Sequence, residues 1–332
     1  MGSNKGVRRW QHDKWRHRMG VLLALLLFGF LLLHGSGDGV QEIADFTPNP
    51  GHLRMYLYTP RQIAPRPALV VALHGCYQTA AGYARASGWL TQADRLGLIL
   101  LLPEQRFWNN PMRCFKWFGH AEADGNGEVA SLVGMIDHIM AERHIPPERV
   151  FITGLSGGSA MAALMLATRP DLFAGGGLIA GVPARCASTV FQGTLCMLLG
   201  LDHTPRQWGD LVRQTRHPPR QWPRISIWQG TRDWVIHPDN ARELVEQWTN
   251  VHGIDPDAQH TSETTNAHQQ DSYRLSDGTV VVEKHLLKHG HGQPVDPGHG
   301  CGQAGFFFPE AGVCASHQLT RFWGLDTEHG QP

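Results

Sequence analysis

The residue types that could do covalent chemistry in this chain converge on one serine. Gly154, Ser156 and Gly158 fit G-x-S-x-G within RVFITGLSGGSAMAALMLATRP, Arg149 to Pro170. A short apolar β-former run precedes the serine, and an Ala/Leu/Met-rich helix pattern follows it and stops at Pro170. The glycines let a strand turn sharply into a helix with Ser156 at the apex, where side chains would collide with neighbouring backbone. A hydroxyl held there stands above the carboxyl end of a sheet, and the helix N-terminus behind it favours negative charge. Such a serine attacks acyl groups when a base takes its proton and an acid orients the base. The competing reading is an ordinary Gly-rich β–α turn in a chain with 38 glycines.

In this strand–turn–helix class the acid and the base follow the serine in the chain. ISIWQG, Ile225 to Gly230, reads as a strand, and Asp233 lies three residues beyond its glycine in the loop TRDWVIHPDN. Its task would be to hold the histidine tautomer and offset the imidazolium charge. Asp239 is the alternative acid, better suited to N-cap the helix ARELVEQW. Gly253 to Asp271 is polar and loop-like, and Tyr273 to Leu275 with Val280 to Leu287 reads as a hairpin whose second run is the last sheet strand. Four histidines in that strand and the stretch KHGHGQPVDPGHG after it, His285, His289, His291 and His299, compete for the base. The base must sit in the loop after the strand, which makes His285 too early. His291, between Gly290 and Gly292, is best placed and His289 is second.

Other elements must build the floor and walls. ALVVAL, Ala68 to Leu73, reads as a central strand buried on both faces and ends in His74-Gly75-Cys76. A strand ending in His-Gly upstream of the elbow is where one of two oxyanion donors belongs. Cys76 is the first choice and Tyr77 the second, the other donor being the backbone N–H of Gly157. His74, ahead of the serine, reads as structural. GHLRMYLYTP and LILLLPEQ are further strands, Tyr83 to Leu96 is a helix with an interior glycine, and Glu128 to Arg143 is an amphipathic helix. Asp124 and Glu128 near its start read as solvent or capping carboxylates. The loop RFWNNPMRCFKWF holds Phe107, Trp108, Phe115, Trp117 and Phe118; Trp108 and Trp117, with Trp234 beside Asp233, are candidate cleft residues. Packing of these rings on the core is the equal alternative. Pro183 to Pro223 leaves little room for a large lid, so an open cleft suited to a bulky or polymeric substrate is expected. Phe306 to Phe308 reads either as an apolar adsorption face or as core, and ASHQLTRFWG as a closing helix.

At 332 residues the chain is ample for one large α/β domain, and no low-complexity linker divides it. Twenty-nine basic side chains balance 29 acidic ones, but the segment before Val21 carries a net five positive charges and leaves a mildly acidic body. No basic patch exists to neutralise phosphates, which argues against a nucleic-acid partner. Residues 1–38 combine that basic start with the apolar run Val21 to Leu33, the pattern of an export signal. An uncleaved anchor is the rival, and only then would the protein touch a membrane. The expected location is secreted or periplasmic, with residues 39–332 as a single catalytic domain. All six cysteines lie in that domain, enough for three disulfides. Proximity pairs Cys186 with Cys196, Cys301 with Cys314, and Cys76 with Cys114. No pair has CxxC spacing and the clustered histidines lack companion donors, so neither metal nor cofactor is expected.

Taken together, LHGCYQTA, FITGLSGGSAM, WQGTRDWVIHPDN with a trailing QW, and GHGQPVDP resemble the poly(3-hydroxybutyrate) depolymerases and their feruloyl and acetylxylan esterase relatives. The resemblance runs from about Leu69 to the C-terminus. It implies an α/β-hydrolase fold, a mostly parallel sheet with helices on both faces and no large lid domain. It further implies serine esterase activity on a polyester or oligo-ester, with Ser156 as nucleophile, Asp233 as acid, His291 as base and Cys76 as the oxyanion residue. The form around His291 resembles the depolymerase branch more than the carbohydrate-esterase branch, where an aromatic residue more often follows the histidine. No separate C-terminal substrate-binding or linker domain is present, which favours amorphous polymer or short oligomers. A feruloyl or acetylxylan esterase is the first alternative; a serine peptidase or a non-enzymatic binding protein is more remote.

Overall fold

Apolar runs of the strand-forming kind that lie between amphipathic helices fold here as a doubly covered sheet. The computed structural model describes residues 39–265 and 268–326; the basic and apolar leader, residues 1–38, lies outside them. In chain order the strands are β1 (Val40–Ile43), β2 (Arg54–Tyr58), β3 (Leu69–Leu73), β4 (Ile99–Glu104), β5 (Val150–Leu155), β6 (Gly175–Ile179), β7 (Arg224–Gly230), β8 (His260–Thr264), β9 (His268–Arg274) and β10 (Val280–Leu287). Among the described residues they form one sheet, ordered β1-β2-β4-β3-β5-β6-β7-β10-β9-β8. The central block β4-β3-β5-β6-β7-β10 is parallel, and antiparallel strands extend both edges.

The helices are α1 (Ala80–Ala86), α2 (Trp89–Leu96), α3 (His120–Ala123), α4 (Gly127–Arg143), α5 (Gly157–Thr168), α6 (Val190–Leu199), α7 (Pro205–Arg213), α8 (Asp239–His252) and α9 (Ala315–Phe322). Alternation along the central strands divides the core in two. Leu69, Val71 and Leu73 of β3 join the cluster under α4, α5, α7 and α8, whereas Val70 and Ala72 join that under α1, α2 and α9. This is why ALVVAL is apolar without interruption.

Three expectations are corrected. The helix over Tyr83 to Leu96 is two helices, because Gly88 takes φ +82° and a Cβ there would lie 2.9 Å from Cys301 Sγ. The stretch from Gly253 to Asp271, read as loop, holds β8 and the first half of β9. Every residue of β8, HTSET, is exposed; it pairs with β9 through the backbone ladder, a Ser262–Asp271 hydrogen bond and a His260–Tyr273 stack, and leaves no apolar alternation to read. Asp239 begins α8 rather than capping it; Pro238 is the N-cap.

The three cystines join Cys76 to Cys114, Cys186 to Cys196 and Cys301 to Cys314. Among the described residues no helix is long and apolar enough to cross a membrane.

Close approach positions the elbow. All of α5 is buried, and a Cβ on Gly158 would lie 2.3 Å from the Leu73 carbonyl oxygen, while one on Gly154 would lie 2.4 Å from the Gly158 carbonyl carbon. Gly158→Ala must therefore push α5 away from β3. The expected loss is roughly 1–3 kcal/mol of stability, with a larger proportional loss of turnover; urea denaturation alongside ester hydrolysis measures both.

Candidate active site

Ser156 stands between β5 and α5 with φ +56° and ψ −119°, a backbone conformation that strains a non-glycine residue by about 1–3 kcal/mol. The surrounding structure holds it there. The Ser156 N–H donates to the Ile179 carbonyl at 3.0 Å, and the Ser156 carbonyl accepts from the Ala160 N–H at 2.9 Å. The sharp turn read from Gly-x-Ser-x-Gly is the turn observed.

The strands β7 and β10 are parallel neighbours, so the loops that leave their carboxyl ends meet. There His291 Nδ1 lies 2.7 Å from Asp233 Oδ2. Asp233 accepts three more bonds: from Gln229 Nε2 at 3.1 Å on Oδ2, and from the Val235 and Ile236 N–H groups at 2.8 and 2.9 Å on Oδ1. Burial pushes its pKa up, but the bond and charge of His291 together with the backbone donors outweigh that and hold it below the ordinary value. The ionised acid thus adds stability above the normal carboxylate range, lost as pH falls through the depressed pKa. With Nδ1–H donated to Asp233, His291 keeps Nε2 as its free acceptor.

The rival residues are placed elsewhere. Asp239 approaches His237 at 3.6 Å instead. His289 turns Nδ1 onto the Gly290 carbonyl at 2.7 Å and packs against Gly230, where a Cβ would lie 2.8 Å from that nitrogen. Burial lowers its pKa. His285 stacks on Trp228 within the sheet, ring centroids 3.8 Å apart, and His299 is a surface residue bonded to Asp296. Gln229, which ties Asp233 to the Gly230 and Ile236 carbonyls, was missed by the sequence reading; its place directly before the strand-ending glycine was the available signal.

Of the two oxyanion donors considered after His74-Gly75, one is already engaged. The Tyr77 N–H donates to the Met112 carbonyl at 2.7 Å. No acceptor among the described residues takes the N–H of Cys76 or Gly157, and the two residues are packed together, a Cβ on Gly157 lying 3.1 Å from Cys76 Sγ. His74 is fully buried. Its Nδ1 donates to the Gly75 carbonyl at 2.7 Å, and its Nε2 accepts the Gln105 N–H at 3.1 Å. Burial drives its pKa down to about 4, so the ring stays neutral. It thereby fixes the peptide plane that carries the Cys76 N–H.

Glu128 corrects the reading as a solvent or capping carboxylate. It is buried and lines the cavity that holds Ser156. One oxygen accepts from Gln105 Nε2 at 2.6 Å and the other from the Lys116 N–H at 2.7 Å. Burial raises its pKa to about 7 against those two bonds. Position in the first helical turn suggested exposure, but the 105–118 loop folds over it.

Ser156, Gly157, Cys76 and His291 all line one cavity of about 960 Å³. Trp117 forms part of its wall, almost wholly buried and edge-on to Phe118. Trp234 lines it and is 78% exposed. Trp108 is a correction: it is 90% exposed, packs on Phe107 and is not part of the cavity lining. Asn109 and Asn110, which directly follow it, bond inward to the Gly51 and Cys114 carbonyls and leave Trp108 outside. The three phenylalanines divide: Phe306 is exposed at the cavity, Phe307 lines it edge-on to His291, and Phe308 is core. One side of the cavity is walled by α6, through Val190, Gly193, Thr194 and Met197.

Residues 53–270 match the family described as Esterase PHB depolymerase. The chain belongs to this family. It is 41% identical over 329 residues to poly(3-hydroxyalkanoate) depolymerase C of Paucimonas lemoignei, covering 95% of this chain and 78% of that one. Feruloyl esterase B of Neurospora crassa is 30% identical over 288 residues, 83% of this chain and 96% of its own. Among solved structures, an acetyl xylan esterase from Aspergillus awamori superposes with a TM-score of 0.73 at 24% identity, over 86% of this chain and 99% of that one, which shows the shared fold. This member of the PHB depolymerase family is an α/β-hydrolase and a serine-type carboxylic ester hydrolase.

Two outcomes follow from the geometry. Asp233→Asn should lower kcat by roughly 10⁴-fold with an unchanged near-UV circular dichroism spectrum; retained turnover would hand the role to Asp239. Glu128, with a folded pKa of about 7 against an ordinary 4.5, binds a proton in the folded state that the unfolded chain releases. Its contribution to stability therefore falls as pH rises between those values. Urea denaturation across that window should show wild type losing stability relative to Glu128→Gln, and parallel curves would refute the buried, protonatable carboxyl.

Proposed function

We propose that this esterase hydrolyses poly(3-hydroxybutyrate) or its oligomers through an acyl-enzyme. The observation that carries the reading is that Ser156 and His291, the latter bonded to Asp233, line one large cavity walled by Trp117, Phe118 and Phe307. A neutral aliphatic ester offers no charge to grip, and apolar walls of this size accommodate several of its units. The name of the Paucimonas relative supports the same substrate.

In the first half-reaction His291 Nε2 takes the Ser156 proton as the hydroxyl oxygen attacks the ester carbonyl. The N–H groups of Cys76 and Gly157 stabilise the oxyanion. The imidazolium, steadied by Asp233, then protonates the departing alcohol. In the second half-reaction His291 activates a water, which releases the 3-hydroxyacid and restores Ser156. No step calls on a metal or cofactor. Feruloyl or acetylxylan groups remain the second reading, favoured by the aromatic walls and by the feruloyl esterase relative.

We further place the working enzyme outside the cytoplasm, secreted or periplasmic. Three cystines with no free cysteine among the described residues support an oxidising compartment. Cell fractionation tests this, and a cytoplasmic pool with reduced thiols would overturn it.

The substrate test sets amorphous poly(3-hydroxybutyrate) and its soluble oligomers beside methyl ferulate and acetylated xylan, with the full chain and a Ser156→Ala control. Serine-dependent release of 3-hydroxybutyrate units is the expected result. Activity confined to ferulate or acetyl groups would keep the triad and reject the polyester.

A further inference from the structure

One helix beside the active site is apolar where it meets water. From Cys186 to Leu201 no residue is charged, and α6 lies within that stretch. Val190, Gly193, Thr194 and Met197 form the stripe that lines the cavity. At about 100° per residue Phe191, Leu195, Leu198 and Leu199 form the adjoining stripe. Phe191 is 72% exposed, Leu198 48% and Leu199 63%, with Leu195 half-buried. A helix apolar on both arcs belongs in a core or against a second apolar phase. This one cannot turn its outer arc inward. The Cys186–Cys196 cystine, the bond from the His237 N–H to the Met197 carbonyl at 2.7 Å, and that from Asn240 Nδ2 to the Cys196 carbonyl at 3.0 Å pin its inner side.

We propose that the outer arc of α6 is a docking face for the surface of a water-insoluble aliphatic polyester. It holds that surface while a chain segment passes over the helix to Ser156. The inference rests on the polyester reading above. Two observations select this occupant. The docking arc is continuous with the cavity stripe on the same helix, so what adsorbs on one borders the entrance to the other. The face also carries no charge, which matches a neutral polymer and sheds water without stripping an ion. Helices that lie on lipid usually add Lys or Arg along their polar face, and α6 has none. A second copy of this chain would need roughly 800 Å² per partner for a stable dimer, well beyond three exposed side chains.

The test incubates the full chain with amorphous poly(3-hydroxybutyrate) granules and measures protein remaining in solution, granule hydrolysis, and kcat/KM on soluble 4-nitrophenyl butyrate. It compares wild type with Phe191→Ser and, separately, with Leu198→Ser combined with Leu199→Ser. Granule affinity should fall at least tenfold in the double variant and severalfold in Phe191→Ser. Granule hydrolysis should follow, while soluble-ester kcat/KM stays within twofold and so reports an intact fold. Adsorption at wild-type strength in both variants overturns the proposal. So does tighter wild-type binding to phosphatidylglycerol vesicles than to granules, or a wild-type dimer that the variants convert to monomer. Wild type that adsorbs through α6 and cleaves the soluble ester yet releases no 3-hydroxybutyrate would uphold the docking face and reject polymer hydrolysis.

Discussion

The site depends on one steric constraint: the first turn of α5 must press against the ends of β3 and β5 with no side chain between. Gly154 and Gly158 meet it directly, since a Cβ on either would fall within 2.5 Å of backbone. Contact that close leaves Ser156 in a strained conformation, and the strain persists because α5 is buried throughout and cannot relax outward. The triple glycine of β6 extends the same logic. A Cβ on Gly176 would lie 2.4 Å from Leu166 Cδ1, and one on Gly177 would lie 2.7 Å from Leu319 Cδ1, so α5 on one face and α9 on the other sit nearer the sheet than ordinary strands permit.

From that fixed serine the remaining groups arrive on two arms held in different ways. The proposed acid–base arm is set by strand adjacency, β7 beside β10, and Asp233 is saturated with four donors, so its carboxylate has one orientation. The arm proposed to supply an oxyanion donor is a loop with no strand partner at the Cys76 position. Its rigidity comes from the cystine to Cys114, the Tyr77–Met112 backbone bond, and the chain Glu128–Gln105–His74–Gly75. A carbonyl that accepts a bond polarises its own peptide, so His74 both aims the Cys76 N–H and strengthens it as a donor. At the far end of this chain the buried Glu128 carboxyl is thereby tied to the loop that carries Cys76.

How far the sequence disclosed this follows from which forces leave local traces. Buried parallel strands write uninterrupted apolar runs, and the elbow writes its glycines, so the central sheet, Ser156 and the candidate partners Asp233 and His291 could be read directly. Strands such as β8, whose side chains are polar and exposed, write no apolar alternation, and the polar Gly253–Asp271 stretch reads as loop. Glu128 and Gln105 were opaque for another reason. Their burial comes from a loop that folds across them, and no spacing within α4 or β4 reports it. Trp108 failed similarly, because the side chains of Asn109 and Asn110, not its own hydrophobicity, decide which way that turn faces.

The proposed substrate, an aliphatic polyester, would account for the distribution of polarity around the cavity. An aliphatic polyester has neither charge nor hydrogen-bond donors along its chain, so recognition must come from area and shape, while the only strong polar contact available is the one made to the developing oxyanion. On that proposal, transition-state binding is favoured over ground-state binding at the reacting carbonyl, because the Cys76 and Gly157 N–H groups, as the proposed oxyanion donors, would gain most when charge appears between them. It also favours apolar walls that hold successive units loosely enough to slide. A cavity lined by such walls merges with an apolar exterior wherever a wall element is thin. Here that element is α6, a single helix with the cavity on one arc and solvent on the next. A thicker, charged wall would separate a soluble ligand's pocket from its surroundings; on the docking proposal, a thin apolar one would let an insoluble phase and Ser156 share the same edge.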